Sequence, residues 1–214
     1  MWSKTKDAEL MAIKRNEFLE KGFELFSNKS IESVTLSDVA KAAGYGMATL
    51  YRYFEKKPGF VIEVATWKWE KFREENIKRR RKKVEEMTAA QLFEFYLDSF
   101  LELYKKHRDL LRFNQFFNIY IKSENIPPET IKPYTKMIDG FADSFHSIYQ
   151  KALTDKTLST SVDEREMFET TLHIMLAAAS RYAVGLVYKA ESERVSLKEL
   201  ETLKNALILY YQPK

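Results

Sequence analysis

The sequence predicts an all-α protein, a small N-terminal bundle joined by a long helix to a larger helical domain. Three observations point there. Only 6 Gly and 5 Pro punctuate 214 residues, too few turn signals for many short strands. Apolar side chains recur three and four residues apart along most of the chain, the spacing of one helix face. No segment alternates as a half-buried strand does, and no internal repeat is present.

The elements follow in order. Residues 7–27 read as a first helix with Leu19, Phe23 and Phe26 on one face, ended by Asn28 and Lys29. Thr35-Leu36-Ser37-Asp38 reads as a capping box, each of Thr35 and Asp38 accepting from the other's backbone N–H. A short helix then runs to Ala43, and Gly44 is its left-handed stop. After a three-residue turn, Met47 to Tyr53 suit a second short helix. Pro58 fits the first turn of a helix, so a long helix is expected from Lys57 to about Glu86. Thr88 caps the next, which runs to about His107. Asp109 to Lys122 form another, and Asn125-Ile126-Pro127-Pro128 is the clearest break in the chain. A helix over 129–152, a polar loop over 154–161 and helices over 163–190 and 196–211 complete the reading. The domain boundary is expected inside the long helix, giving domains 1–58 and 59–214.

Composition narrows the function classes. There is no cysteine, which removes disulfides, thiol nucleophiles and Cys-based metal sites. The first ten residues are charged and lack a signal-peptide core, and no apolar run approaches the roughly 18 residues of a membrane span. A cytoplasmic protein without membrane contact is expected. The net charge of +4 permits a nucleic-acid partner without demanding one.

The stretch Val34 to Phe54 carries the strongest pattern. Two short helices about a glycine turn make a helix-turn-helix. Ala40 and Ala43 are small enough for a close crossing. Leu50 and Phe54 plug the inner face, with Phe23 and Phe26 expected to cover it. Met47, Ala48, Thr49, Tyr51 and Tyr53 remain outward, a slim surface that suits a major groove about 12 Å wide. The hydroxyls of Thr49, Tyr51 and Tyr53 can bond phosphates or base edges.

This ordered set resembles the TetR family of bacterial transcription regulators. The matching features are Phe23-Glu24-Leu25-Phe26, Thr35 with Asp38-Val39-Ala40, Ala43-Gly44, Thr49 through Phe54, and Lys57. The resemblance covers about 45 residues; the remainder matches only in being helical. It implies DNA contacts from Thr35, Ser37, Lys41, Gly46, Met47, Ala48, Thr49, Tyr51, Tyr53 and Lys57, the last two on phosphates. Four positions depart from the family's usual pattern. Tyr45 replaces a smaller aliphatic residue, Gly46 a common Ser, Met47 a polar or basic residue and Ala48 a common Gly. More apolar base contact follows, for instance Met47 or Ala48 on thymine methyls.

The run Lys78 to Lys83 is six consecutive cations. It lies about 30 Å up the long helix from Lys57, circles the helix rather than lining one face, and has Glu74, Glu75, Glu85 and Glu86 to pair with. A solvated helix end is the expected reading.

For the larger domain the resemblance implies ligand binding and dimerisation. An apolar inducer pocket is expected among Phe100, Tyr104, His107, Phe117, Tyr120, Phe141, Phe145, His146 and Arg181, although each aromatic alone reads more readily as core. Phe168, Leu172, Met175, Ala179, Tyr182 and Leu186 are spaced 4-3-4-3-4, and Leu200, Leu203, Leu207 and Tyr210 are spaced 3-4-3. These seams suit helix pairs, within one chain or, as the resemblance implies, across a two-fold dimer.

No metalloprotease, P-loop or dinucleotide motif is present. Asp143-x-x-His146 has carboxylate–metal spacing in a single copy, so no metal and no cofactor are expected, and no enzyme activity. The function that follows is a regulator, in its implied form a repressor that binds a near-palindromic operator as a homodimer and leaves it on binding a small apolar ligand. The alternative is a helical DNA-binding or adaptor protein without a ligand response.

Overall fold

A computed structural model describes residues 2–80, 86–186 and 192–213. The described residues are helical throughout, with no strand. They form α1 (Trp2–Asn28), a 3-10 turn (Ile31–Ser33), α2 (Leu36–Ala42), α3 (Met47–Leu50), α4 (Lys57–Arg80), α5 (Ala89–Lys106), α6 (Arg108–Ser123), α7 (Pro128–Asp155), α8 (Glu164–Val184) and α9 (Glu193–Tyr210). The chain divides into two compact units, neither contiguous in sequence. One takes residues 1–71 and 112–137, the other residues 72–111 and 138–214. The units therefore differ from the contiguous pair 1–58 and 59–214, because most of α6 and the start of α7 fold with the N-terminal helices.

The core of the first unit explains its local sequence. Phe18, Leu19, Phe23 and Phe26 are buried along one face of α1. Phe18 covers the helix-turn-helix: its ring centroid lies 5.2 Å from that of Tyr45, 5.8 Å from Tyr53 and 6.2 Å from Phe54. Phe26 meets Phe60 of α4 at 5.9 Å. Phe23, expected over the motif, instead faces Phe113 of α6 at 5.5 Å. Helical spacing fixes which residues share a stripe, not which neighbour each one meets. Gly22 belongs to the same contact, since a Cβ there would strike the Phe60 ring.

The helix ends follow capping chemistry. Thr35 and Asp38 form a complete capping box, and so do Thr88 and Gln91. At the end of α2 the Tyr45 N–H donates to the Ala40 carbonyl at 2.9 Å and the Gly44 N–H to that of Lys41 at 3.1 Å. This is a Schellman motif, with Gly44 at φ +78°. Nothing lies within 4 Å of a Cβ built on Gly44, so its replacement meets only conformational strain. Gly44→Ala should cost about 1–2 kcal/mol, read as a lower unfolding midpoint in urea.

Two boundaries differ from expectation for local reasons. The first helix extends back to Trp2. Helix α8 stops at Val184 because Gly185 takes φ +106°, a conformation open essentially to glycine. The expected continuation to residue 190 lies partly outside the described residues. So do the end of the long helix near Glu86 and most of the basic run, of which Lys78 is exposed and helical.

The second unit packs α8 and α9 on α5. Phe93, Leu97, Phe145, Met167, Met175, Ala179 and Leu200 are buried in it. Lys204 of α9 reaches α5, donating to Asp98 at 2.6 Å and approaching Glu94 at 2.9 Å. Burial works against its charge, but the two carboxylates outweigh this and hold its pKa above the ordinary lysine value.

Candidate nucleic-acid interface

The interface is built from α2, α3 and the turn after them. The Gly46 backbone is extended, with φ −82° and ψ 159°, and caps α3 without a side chain. Helix α3 ends at Leu50, sooner than the expected Tyr53. The chain then tightens: the Arg52 N–H donates to the Thr49 carbonyl at 3.2 Å and the Tyr53 N–H to that of Leu50 at 2.9 Å. Such three-residue closures are common at helix ends. Leu50 and Phe54 point inward and are buried.

The outward face read from sequence is exposed in part. Thr35, Ser37, Lys41, Gly46, Ala48 and Tyr51 are exposed, whereas Met47, Thr49 and Tyr53 are half-buried. Hydrogen bonds from the Thr35 backbone and side chain hold the Asp38 carboxyl below its ordinary pKa. That acid is therefore committed to the cap and leaves the surrounding hydroxyls and N–H groups to a partner. Arg52 is also exposed, beside Tyr51. Sequence reading passed over it, although an exposed cation next to a recognition helix is a sufficient signal.

Two residues differ from their expected roles. Tyr45 donates to Glu17 of α1 at 2.6 Å, and the Lys14 ammonium lies 5.7 Å from its ring centre. The hydrogen bond to Glu17 raises its pKa. The aromatic residue thus ties the turn of the motif to α1, which a smaller aliphatic side chain cannot do. Lys57, expected on a phosphate, donates to the Glu32 carbonyl at 3.2 Å and sits 5.6 Å above the Tyr120 ring. Desolvation lowers its pKa despite nearby carboxylates. Its charge is already engaged within this unit.

The expected pocket residues scatter. In the first unit, Phe117 packs between Phe113 and Tyr134, and Tyr120 is buried, its pKa pushed up to about 12 by desolvation. In the second unit, Phe100, Tyr104 and Phe145 are buried. His107 approaches Glu75 at 3.3 Å, exposed His146 approaches Glu164 at 2.9 Å, and Arg181 is exposed. Of this set Phe141 lines one cavity of the second unit, about 70 Å³ in volume, together with Arg73, Leu92, Phe95, Tyr96 and other residues of α4, α5 and α7. Among the described residues no group of three metal-capable side chains occurs, and no helix is long and apolar enough to cross a membrane.

Of the expected dimer seam, Phe168, Met175, Ala179, Leu200 and Leu207 are buried within the chain itself. Leu172, Tyr182, Leu186 and Leu203 are half-buried and only Tyr210 is fully outward. The Tyr182 hydroxyl donates to Glu199 at 2.5 Å, joining α8 to α9. A different set faces out: Ile174, Ala177, Arg181 and Val184 on α8, and Val195, Thr202, Ala206 and Leu209 on α9.

Comparisons with known proteins bear on these surfaces. Residues 18–64 match the family model of bacterial regulatory proteins, tetR family. No curated protein gives a significant match. Solved structures do. The fatty acid degradation regulator FadR from Bacillus halodurans is 13% identical with a TM-score of 0.70, over 89% of this chain and 94% of that one. FadR from Bacillus subtilis in complex with stearoyl-CoA is 16% identical with a TM-score of 0.68, over 90% and 95%. A TetR-family transcriptional regulator from Mesorhizobium loti is 16% identical with a TM-score of 0.67, over 94% and 98%. At these identities the likeness is one of fold.

Proposed function

We propose that this chain is a transcriptional regulator of the tetR family, whose family model matches residues 18–64, and that it acts as a homodimeric repressor released by a small apolar ligand. The observation that carries the DNA-binding part is the outward face of Lys41, Gly46, Met47, Ala48, Thr49, Tyr51 and Arg52, held on a capped, aromatic-backed helix-turn-helix. A two-fold dimer presents two such faces to a near-palindromic site. The proposed second-copy contact uses the outward rows of α8 and α9. The similarity to ligand-bound FadR and the cavity of the second unit support a ligand response. A ligand that prefers the dimer with wrongly spaced recognition helices shifts the population. A coupling of about 1–3 kcal/mol changes DNA affinity by roughly 5–150-fold. Helix α4 carries residues of both units and is the natural coupling element.

Selection of genomic fragments by the purified protein, followed by footprinting at stated salt, tests the reading. A protected two-fold site is expected; sequence-indifferent binding at moderate salt would overturn it. On the selected site, Lys41→Ala should weaken binding of all sequences alike and lower the slope of log affinity against log salt by about one. Met47→Ala should change the preferred bases at one or two positions and leave that slope unaltered, as read by repeating the selection.

A further inference from the structure

The cavity of the second unit has apolar walls formed by Ile77, Leu92, Phe95, Phe141 and Ile148. Two donors at this cavity are out of water and have no hydrogen-bond partner, Nε of Arg73 and Oη of Tyr96. Buried polar atoms in folded proteins are nearly always paired, because their desolvation otherwise goes uncompensated. Arg73 makes no ion pair among the described residues. The nearby serines are committed to their own helices: Ser99 donates to the Tyr96 carbonyl at 2.5 Å, and Ser144 to that of Gly140 at 3.2 Å. Burial raises the Tyr96 phenol pKa, so the group keeps its proton and can donate.

Gly140 adds a second, geometric observation. A Cβ at this position would fall on Nη1 of Arg73. The missing side chain on α7 leaves the space that the guanidinium of α4 occupies. A cation is thus seated against a glycine at an apolar-walled cavity that the Tyr96 phenol also lines.

We propose that this cavity binds a monocarboxylic acid with an apolar tail, its carboxylate accepting hydrogen bonds from Arg73 and Tyr96. The planar guanidinium fork matches a two-oxygen anion. The two unpaired donors match the two oxygens of a carboxylate at a cavity of about 70 Å³, which Asn76 also lines. The tail lies along Leu92, Phe95, Phe141 and Ile148. This deepens the ligand-responsive reading and rests on it only for the effect on DNA.

Calorimetric titration of the full chain with octanoate, 1-octanol and octylamine at neutral pH tests the site. Octanoate should bind about tenfold or more tightly than 1-octanol, the difference made by charge-assisted hydrogen bonds, and octylamine most weakly. Arg73→Gln should erase the preference for octanoate over 1-octanol, and Tyr96→Phe should weaken octanoate several-fold. Gly140→Ala puts a better helix former on α7 while displacing the guanidinium. It should weaken octanoate with the unfolding midpoint maintained or raised. Equal binding of octanoate and 1-octanol, no octanoate binding, or an unchanged preference in both Arg73→Gln and Gly140→Ala would overturn the proposal. Footprinting with octanoate separates the two readings: octanoate that binds through Arg73 yet leaves the DNA complex intact supports the site and overturns the ligand-responsive repressor.

Discussion

Replacing Phe54 by alanine should cost about 3–5 kcal/mol of stability and abolish the proposed DNA binding. The ring is almost fully buried. It packs edge-on against Phe60 at 4.6 Å and Phe18 at 6.2 Å between ring centroids, and the Arg15 guanidinium lies 5.4 Å from its centre. Truncation opens a cavity among stiff aromatic rings, which relax little. The same ring backs the turn that follows α3, so the recognition face loses its support. Urea unfolding followed by tryptophan fluorescence, with footprinting on the selected site, checks both effects. A loss below about 1 kcal/mol, the scale of a surface substitution, would contradict the packing described.

The double variant Ile174→Glu, Leu209→Glu should dissociate the proposed dimer while leaving each chain folded. Both side chains are exposed in the isolated chain, at 39% and 66%. Charge there costs little in a monomer but introduces unpaired carboxylates into an apolar contact between copies. Light scattering should return the mass of one chain with helical content unchanged. DNA affinity should fall by about a hundredfold or more, because the second recognition helix no longer binds at high effective concentration. An intact dimer in this variant would move the contact to another surface. Substituting Met175 or Leu200, members of the seam read from sequence, should instead unfold the second unit, since both are fully buried.

That contrast marks where sequence reading reached its limit. A 4-3-4 apolar spacing states that a helix has a partner along that stripe; it does not state whether the partner belongs to the same chain. Phe168 met Phe145 of α7, and Met175 and Leu200 are buried in helices that pack on α5 and on each other within the chain. The outward rows of α8 and α9 went unseen because Ala177, Thr202 and Ala206 interrupt them with small or polar residues. Local chemistry was more legible. Thr35 and Asp38 named the start of α2, and Gly44 its end, because caps depend on neighbours in sequence. Phe18 was missed because α1 offers several aromatics at helical spacing, and its rotation against the motif depends on Phe60 and Phe113 far along the chain. Arg73 and Tyr96 were illegible for a related reason. An arginine among glutamates reads as a solvated cation, and a tyrosine among phenylalanines as core, until Gly140 brings α7 against α4.

The tilted ring contact between Phe23 and Phe113 sets a rule for recombining such proteins. A graft cut at residue 58 would carry the reading head away from α6 and leave the Phe23 ring in water. A working chimaera has to transplant residues 112–137 with the first 71. The first unit is therefore inherited as two sequence blocks, and homologous exchange at a single crossover within the long helix should yield insoluble or weakly folded hybrids.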